Sequence, residues 1–276
     1  MSVTSAATPA PIASREASTA PSERTQLMRV AWFFGLSLSL ALVASLAGAP
    51  AAALPFILAF GPTLIALTLA WREGHGALGR LGRALIRRPQ QRRWYLVLCL
   101  PVVWALATVG VAVLLGAPTT SLFDGVFPNV AIIFLVVLIP AFAEELAWRG
   151  FAVPRLMTVM SPLRAAVVVA IPWTLIHVGL FLPGQSNEQL QLWPLALSIV
   201  SYSVILTWMF VGTGGSVLMV ALVHAGLNAM SPVMAGIDPN DQWIIRNVLA
   251  GAIAVAVVAL GGFRRARLDP SIASVP

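Results

Sequence analysis

The stretch AIIFLVVLIPAFAEELAWRG, residues 131–150, joins a long apolar run to two adjacent carboxylates and an arginine. Residues 130–143 carry no charged side chain, and such a run suits the interior of a lipid bilayer. Glu144, Glu145 and Arg149 follow at once, where lipid or packed apolar side chains are expected. Because an ionisable residue inside a membrane segment is costly, it marks a candidate functional site. The stretch therefore predicts a membrane-spanning helix and indicates where the chemistry lies.

The composition extends this prediction to the whole chain. Of 276 residues, 59% are hydrophobic and 10% are charged, against about 25% charged in soluble domains. Continuous apolar runs of about 20 residues recur, which is the length of a membrane-spanning helix. The sequence therefore predicts an all-α polytopic membrane protein with about eight transmembrane helices. The predicted spans are 29–48, 53–71, 94–116, 129–149, 164–183, 192–211, 214–231 and 243–262.

The two ends of the chain differ from this membrane domain, which we place at residues 28–263. Residues 1–27 are rich in Ser, Thr, Ala and Pro and predict a disordered tail, because they cannot bury enough apolar surface to fold. Residues 264–276 form a short C-terminal tail. The first apolar run is long enough to span, so it predicts a signal-anchor and not a cleaved leader.

The basic residues predict the orientation of the chain. All 17 are arginine, and seven of them lie between residues 72 and 93. If both termini are cytoplasmic, every arginine except Arg246 lies inside, which satisfies the positive-inside rule for a protein of the cell membrane. The lipid bilayer is therefore a partner. The net charge of +7 is explained by these loops and predicts no nucleic-acid binding.

Few strongly polar residues fall inside the predicted spans. Glu145 and Arg149 are four residues apart on one helix face, which predicts an ion pair. Glu144 points about 100° away on the same helix, so it is the candidate free carboxylate and general base. The alternative is that both acids only neutralise arginines at the end of the helix.

Two further spans carry the remaining polar groups. His177 follows Trp173 by four residues, and His224 precedes Asn228 by four residues. Each could be a hydrogen bond between packed helices and nothing more. Because two acids, two histidines and an amide occur on three helices, a joint site is the better interpretation.

This set of residues predicts an intramembrane hydrolase of peptides or membrane proteins. Glu144 removes a proton from water, His177 holds that water, and His224 and Asn228 stabilise the oxyanion. A zinc site built from both histidines and a glutamate is an alternative, but no His-Glu-x-x-His motif is present and Arg149 opposes a cation. We therefore predict no metal and no other cofactor. A transporter or proton relay, or a non-catalytic scaffold, would use the same groups.

At these residues the chain resembles the CAAX protease and bacteriocin-processing family (CPBP or Abi; type II CAAX prenyl endopeptidase-like). The Glu-Glu-x-x-x-Arg motif is matched by Glu144, Glu145 and Arg149, and the His-x-x-x-Asn motif by His224 and Asn228. In the Phe-x-x-x-His motif His177 is matched, while Trp173 replaces Phe, an aromatic exchange that leaves the chemistry intact. The resemblance covers residues 94–262.

The resemblance implies an eight-helix glutamate-type endopeptidase without a catalytic metal, whose active site lies between helices four, five and seven. It assigns water activation to Glu144 and His177, the oxyanion hole to His224 and Asn228, and support to Glu145 and Arg149. Eukaryotic relatives cut prenylated CAAX tails, whereas bacterial relatives are linked to peptide processing, immunity or regulation. The predicted span ends leave one conflict, because they place Glu144 near the cytoplasmic face and His177 much deeper.

Overall fold

Helices account for the secondary structure throughout the part of the chain that the computed structural model describes, residues 22–117, 126–234 and 236–263. In chain order they are α1 (Glu23–Leu46), α2 (Leu54–Arg72), α3 (His75–Ile86), α4 (Leu100–Leu114), α5 (Val126–Glu145), α6 (Val153–Leu156), α7 (Pro162–His177), α8 (Trp193–Gly212), α9 (Val217–Ala229) and α10 (Pro239–Ala259). Shorter 3-10 turns precede α4 (Arg92–Cys99), follow α7 (Val178–Phe181) and follow α9 (Ser231–Met234). The predicted all-α polytopic membrane fold is confirmed.

Seven helical segments within the described residues are long and apolar enough to cross a membrane. The seventh predicted span, 214–231, is not among them and contains the shorter helix α9, whose 13 residues extend over about 20 Å. That is less than the roughly 30 Å of a bilayer core. Ten of the 13 residues are buried, so neighbouring helices and not lipid surround α9.

The helix starts follow local sequence signals. Ser161 and Ser216 cap α7 and α9, because their hydroxyl oxygens accept hydrogen bonds from backbone N–H groups three residues later. Asp238 caps α10 in the same way. α1 begins at Glu23, so it includes residues that the sequence analysis assigned to the disordered tail. Residues 1–21 and the predicted tail 264–276 lie outside the described residues.

An ion-pair network holds together the membrane face that carries the arginines between residues 72 and 93, called here the Arg-rich face. The Nη2 atom of Arg155 donates to both carboxylate oxygens of Glu73 at 2.8 Å, and Arg29 lies 3.5 Å from the same carboxylate. This network joins α1, α2 and α6. The fourth span therefore ends at Leu156 and not at the predicted residue 149.

Both described ends of the chain lie at this face. Arg29, in the second turn of α1, belongs to the network just described. At the other end, Gly262 follows α10 and lines a surface pocket together with Arg87 and Trp94. The amphipathic helix expected in the arginine-rich loop is present as α3.

Candidate active site

The helix that carries both carboxylates changes its winding immediately after them. α5 ends at Glu145, and residues Leu146–Ala152 continue as a π-helical segment before α6. Such segments occur mostly at functional sites, because they widen the helix and turn its side chains. The predicted ion pair still forms, since Nη1 of Arg149 lies 2.9 Å from Oε1 of Glu145. Both side chains are completely buried.

Glu145 also binds the second histidine. Nδ1 of His224 donates to Oε1 of Glu145 at 2.7 Å, which connects α9 to α5. The same carboxylate oxygen therefore accepts from Arg149 and from His224. On another side of α9, Gly226 allows a close approach to α4, because a Cβ atom at that position would lie 2.6 Å from Cγ of Pro101. Glu145 therefore has two partners, one more than its spacing to Arg149 predicts.

Trp173 connects the groups on three helices. Its indole Nε1 donates to Oε2 of Glu144 at 2.9 Å. The guanidinium carbon of Arg149 lies 4.3 Å from the centre of its ring, a cation–π contact. The rings of His177 and His224 lie nearly perpendicular to its ring, with centroids 6.3 and 6.0 Å away. The exchange of Phe for Trp therefore adds a hydrogen bond to Glu144 that a phenyl ring cannot make.

His177 has a defined orientation. Its Nδ1 atom lies 2.7 Å from the backbone oxygen of Trp173. A backbone oxygen only accepts, so Nδ1 carries the proton in this bond. In the neutral ring Nε2 is then the unprotonated nitrogen. It is available to accept a proton from water or to hold one in place.

A cavity of about 520 Å³ brings the predicted residues together. Its lining includes Glu144, Trp173, His177, His224 and Asn228. We call it the polar cavity. Glu145 and Arg149 do not line it and lie behind Glu144 and Trp173. Within the described residues the side-chain amide of Asn228 makes no hydrogen bond to the protein, so its donors are available to a ligand.

The depths of these groups resolve the conflict left by the predicted span ends. Glu144 precedes Leu156, the end of its span, by about 18 Å along the helix. His177 follows Pro162, where α7 starts, by about 22 Å. Glu144 is therefore near the middle of the membrane, because its span ends later than predicted.

His224 lies at a similar depth. It follows Val217, the first residue of α9, by about 10 Å. Val217 lies inside the membrane and not at the Arg-rich face, because it packs against Gly150 in the π segment. A Cβ atom placed on Gly150 would lie 3.5 Å from Cγ2 of Val217. The short helix α9 thus presents its polar residues at the level of Glu144 and His177.

The polar cavity leads away from the Arg-rich face. Its lining includes Pro55 near the start of α2, Leu195 near the start of α8 and Pro239 at the start of α10. α2 runs from these residues to Arg72 at the Arg-rich face, so its start lies at the other side. The cavity therefore extends from mid-membrane towards the opposite face.

Several lining residues were missed from the sequence. They are Ser198 and Tyr202 on α8 and Trp243 and Arg246 on α10. Hydroxyl and indole groups are common in membrane helices, so the first three carried no signal. Arg246 did carry one, because it lies inside the predicted span 243–262 but was counted as an outer residue. A cation within a span marks a candidate site.

The arrangement of ligands does not form a metal site in the described part of the chain. No group of three or more His, Cys, Asp and Glu side chains there is arranged to hold a metal ion. One candidate ligand atom, Oε1 of Glu145, is already bonded to Arg149 and His224.

Comparisons with known proteins agree with the resemblance found in the sequence. The family model described as type II CAAX prenyl endopeptidase Rce1-like matches residues 125–230, which include all six predicted site residues. CAAX prenyl protease 2 of Methanococcus maripaludis is 28% identical over 177 residues. The match covers 58% of this chain and 64% of that relative, slightly less than two thirds of its length. The predicted resemblance to the CAAX protease family is confirmed.

Proposed function

We propose that this chain, which is similar to the CAAX proteases over the segment that carries its polar site, is an intramembrane endopeptidase. It hydrolyses a peptide bond with an activated water and uses no metal or other cofactor. Its substrate is a peptide or a membrane protein. The observation that carries the proposal is that Glu144, His177 and Asn228 line one cavity inside the membrane, while Glu145 and Arg149 are paired behind it.

Glu144 and His177 activate the water. Oε2 of Glu144 is held by the indole of Trp173, and this leaves Oε1 for the water. His177, on α7, helps to hold the water through Nε2. This atom is available because the Nδ1 proton is donated to the backbone oxygen of Trp173. A carboxylate positioned in this way can take a proton from the water as the water attacks.

Asn228 and His224 stabilise the oxyanion. The amide of Asn228 donates directly. His224 already donates from Nδ1 to Glu145, so it can donate to a ligand from Nε2 only as the imidazolium. Glu144, Glu145, Arg149 and protonated His224 together carry no net charge. A neutral cluster is the least costly arrangement inside a membrane, which supports this protonation state.

The proton balance of the reaction is simple. The water oxygen attacks the carbonyl carbon while its proton moves to Glu144. The tetrahedral intermediate carries its negative charge against Asn228 and His224. Glu144 then gives the proton to the leaving nitrogen, the C–N bond breaks, and a carboxylic acid and an amine are released. The enzyme returns to its starting state without a covalent intermediate.

The test is the substitution Glu144→Gln in the full chain, purified in lipid nanodiscs. A defined pool of synthetic peptides is incubated in water enriched in oxygen-18, and new termini are identified by mass spectrometry. We expect Glu144→Gln to lower cleavage by about 10²- to 10⁴-fold, the usual contribution of a general base. Glu23→Gln is the matched control, since Glu23 is exposed in the first turn of α1.

Cleavage by Glu144→Gln at the wild-type rate would refute Glu144 as the base. Absence of cleavage by the wild type, with a proton flux in liposomes that depends on Glu144, would favour the transporter alternative. If the wild type shows no cleavage and no proton flux, the scaffold alternative is favoured. Addition of a strong chelator tests the metal alternative, and we expect no loss of activity.

We also propose that both termini are cytoplasmic in the cell membrane, so that the polar cavity opens on the outer side. The support is the concentration of arginines at one face and the opening of the cavity at the other. Asn187 lines the outer part of the cavity. An Asn187→Cys variant lacking Cys99 should react with a membrane-impermeant thiol reagent in intact cells. Reaction with the reagent only in inverted vesicles would show that the chain has the opposite orientation.

A further inference from the structure

Arg246 is a cation inside the membrane domain that the proposed chemistry does not use. It lies on α10, about 10 Å along the helix from Pro239, and it lines the same cavity as Glu144 and Asn228. Cations in membrane helices almost always face a polar cavity or a partner, because their desolvation is costly. We therefore expect the guanidinium of Arg246 to have an anionic or aromatic partner.

The structure offers two aromatic rings but no carboxylate. The guanidinium carbon of Arg246 lies 5.1 Å from the ring centre of Trp104 and 5.4 Å from that of Trp243. Its Nε atom is buried without a hydrogen bond. Across the described ranges its guanidinium makes no ion pair and no hydrogen bond. Asp238, at the start of the same helix, is occupied in capping it.

The two indoles hold the guanidinium in place. Nε1 of Trp104 donates to the backbone oxygen of Arg246 at 3.1 Å, which fixes α4 against α10. Trp104 also packs edge-on against Tyr202, with ring centroids 6.2 Å apart. Contacts between a cation and aromatic faces leave the N–H groups of the guanidinium free. These donors form a planar fork that matches a carboxylate.

Charge balance points in the same direction. The four ionisable groups around Glu145 sum to zero in the proposed active state, so Arg246 is the unbalanced charge of the polar cavity. One anionic group of the substrate would neutralise it. A single guanidinium suits one carboxylate better than the phosphates of a lipid headgroup, which are usually bound by several basic groups.

We infer that Arg246 binds a carboxylate of the peptide substrate and thereby selects substrates that carry one near the bond to be cut. This inference rests on the proposed function. The carboxylate is either the C-terminus of the substrate or the side chain of an Asp or Glu. Arg246 is then a specificity residue of the polar cavity, and Trp104 and Trp243 position it.

The experiment compares matched peptides with the full chain in nanodiscs. Each peptide that is cleaved is made as a free acid and as a C-terminal amide, and each acidic side chain is exchanged for its amide. The wild type should prefer the decisive carboxylate by about 10- to 100-fold in kcat/KM, as expected for a charge-assisted hydrogen bond. Arg246→Gln should bring this ratio close to one, and Arg246→Lys should restore part of it.

Arg164→Gln is the control, because Arg164 is exposed at the start of α7 and should keep the wild-type ratio. The comparison in which kcat/KM changes identifies the carboxylate. A change between free acid and C-terminal amide assigns it to the C-terminus, and a change on exchange of an acidic side chain assigns it to that side chain. A wild-type ratio near one, or an unchanged ratio in Arg246→Gln, would overturn the inference. So would competition by phosphatidylglycerol that depends on Arg246 while the peptides show no preference, since this would assign the site to a lipid.

Binding separates this inference from the proposed function. The same labelled peptides are titrated into Glu144→Gln protein and followed by fluorescence anisotropy. Lack of hydrolysis in the wild type with preserved preference for carboxylate peptides would count against the endopeptidase and in favour of Arg246. Hydrolysis without any preference would do the reverse.

Discussion

Two buried ion pairs, at two depths of the same helical run, do different work. At the Arg-rich face Arg155 meets both oxygens of Glu73, so the carboxylate is fully used. At mid-membrane, Oε1 of Glu145 accepts from Arg149 and His224, and Oε2 of Glu145 has no partner among the described residues. Both carboxylates join helices, and each pair leaves an arginine Nε atom without a hydrogen bond in the described part of the chain. The second pair also leaves a buried carboxylate oxygen unpaired, next to residues that line the cavity, and an unpaired buried acceptor is a feature of functional sites.

The largest difference between the two pairs should appear in Arg149→Met. This change leaves Glu145 buried without its main cation and removes the contact with Trp173. We expect about 3–5 kcal/mol lower stability together with loss of cleavage. Denaturant unfolding in detergent and the peptide assay measure the two effects. A variant as stable as the wild type would contradict the importance of this pair.

Arg155→Met tests the other pair. It should lower stability by a similar amount, about 3–5 kcal/mol, because Glu73 loses its closest partner and keeps, among the described residues, the longer ion pair with Arg29. Cleavage per folded molecule should stay within about 3-fold of the wild type, since this network is far from the cavity. The folded fraction is quantified by size-exclusion chromatography before the assay. Equal loss of activity in fully folded protein would show that the two pairs are not separate.

Asn228→Ala tests a residue that lines the cavity and belongs to neither ion pair. Its amide makes no structural hydrogen bond in the described part of the chain, so stability should hardly change. Loss of one oxyanion donor should lower kcat by about 10²- to 10³-fold with little change in KM. Thr68→Ala, at an exposed position of α2, is the control. A change in KM alone would make Asn228 a binding residue.

Trp173→Phe gives the smallest expected effect. It removes the hydrogen bond to Glu144 but keeps an aromatic ring beside Arg149. We expect about a 10-fold loss in kcat/KM, corresponding to one charge-assisted hydrogen bond. Single-turnover measurements with a cleaved peptide will show whether the chemical step changes. Unchanged kinetics would mean that Glu144 needs no support from the indole.

Much of the site could be predicted because each residue stands out against an apolar background. Glu144, His177 and Asn228 stand out in the sequence as polar residues in apolar spans, and the Glu145–Arg149 pair follows from the spacing of these two residues. The hydrogen bond between His224 and Glu145 could not be predicted, because it depends on how far α9 sinks into the bundle. The role of Trp173 was hidden for the same reason: an indole within a span usually signals packing.

The amino-acid sequence is enough to establish the membrane fold, the approximate positions of the helices and the list of polar residues, because hydrophobic length and local spacing control them. Tertiary packing sets which residues share a depth, and it gives Glu144 its hydrogen bond from Trp173 and Glu145 its hydrogen bond from His224. The late end of the fourth span at Leu156 and the π segment Leu146–Ala152 bring Glu144 level with His177. The short helix α9 brings His224 to Glu145. Such alignments depend on contacts between distant segments, and no local pattern of residues encodes them.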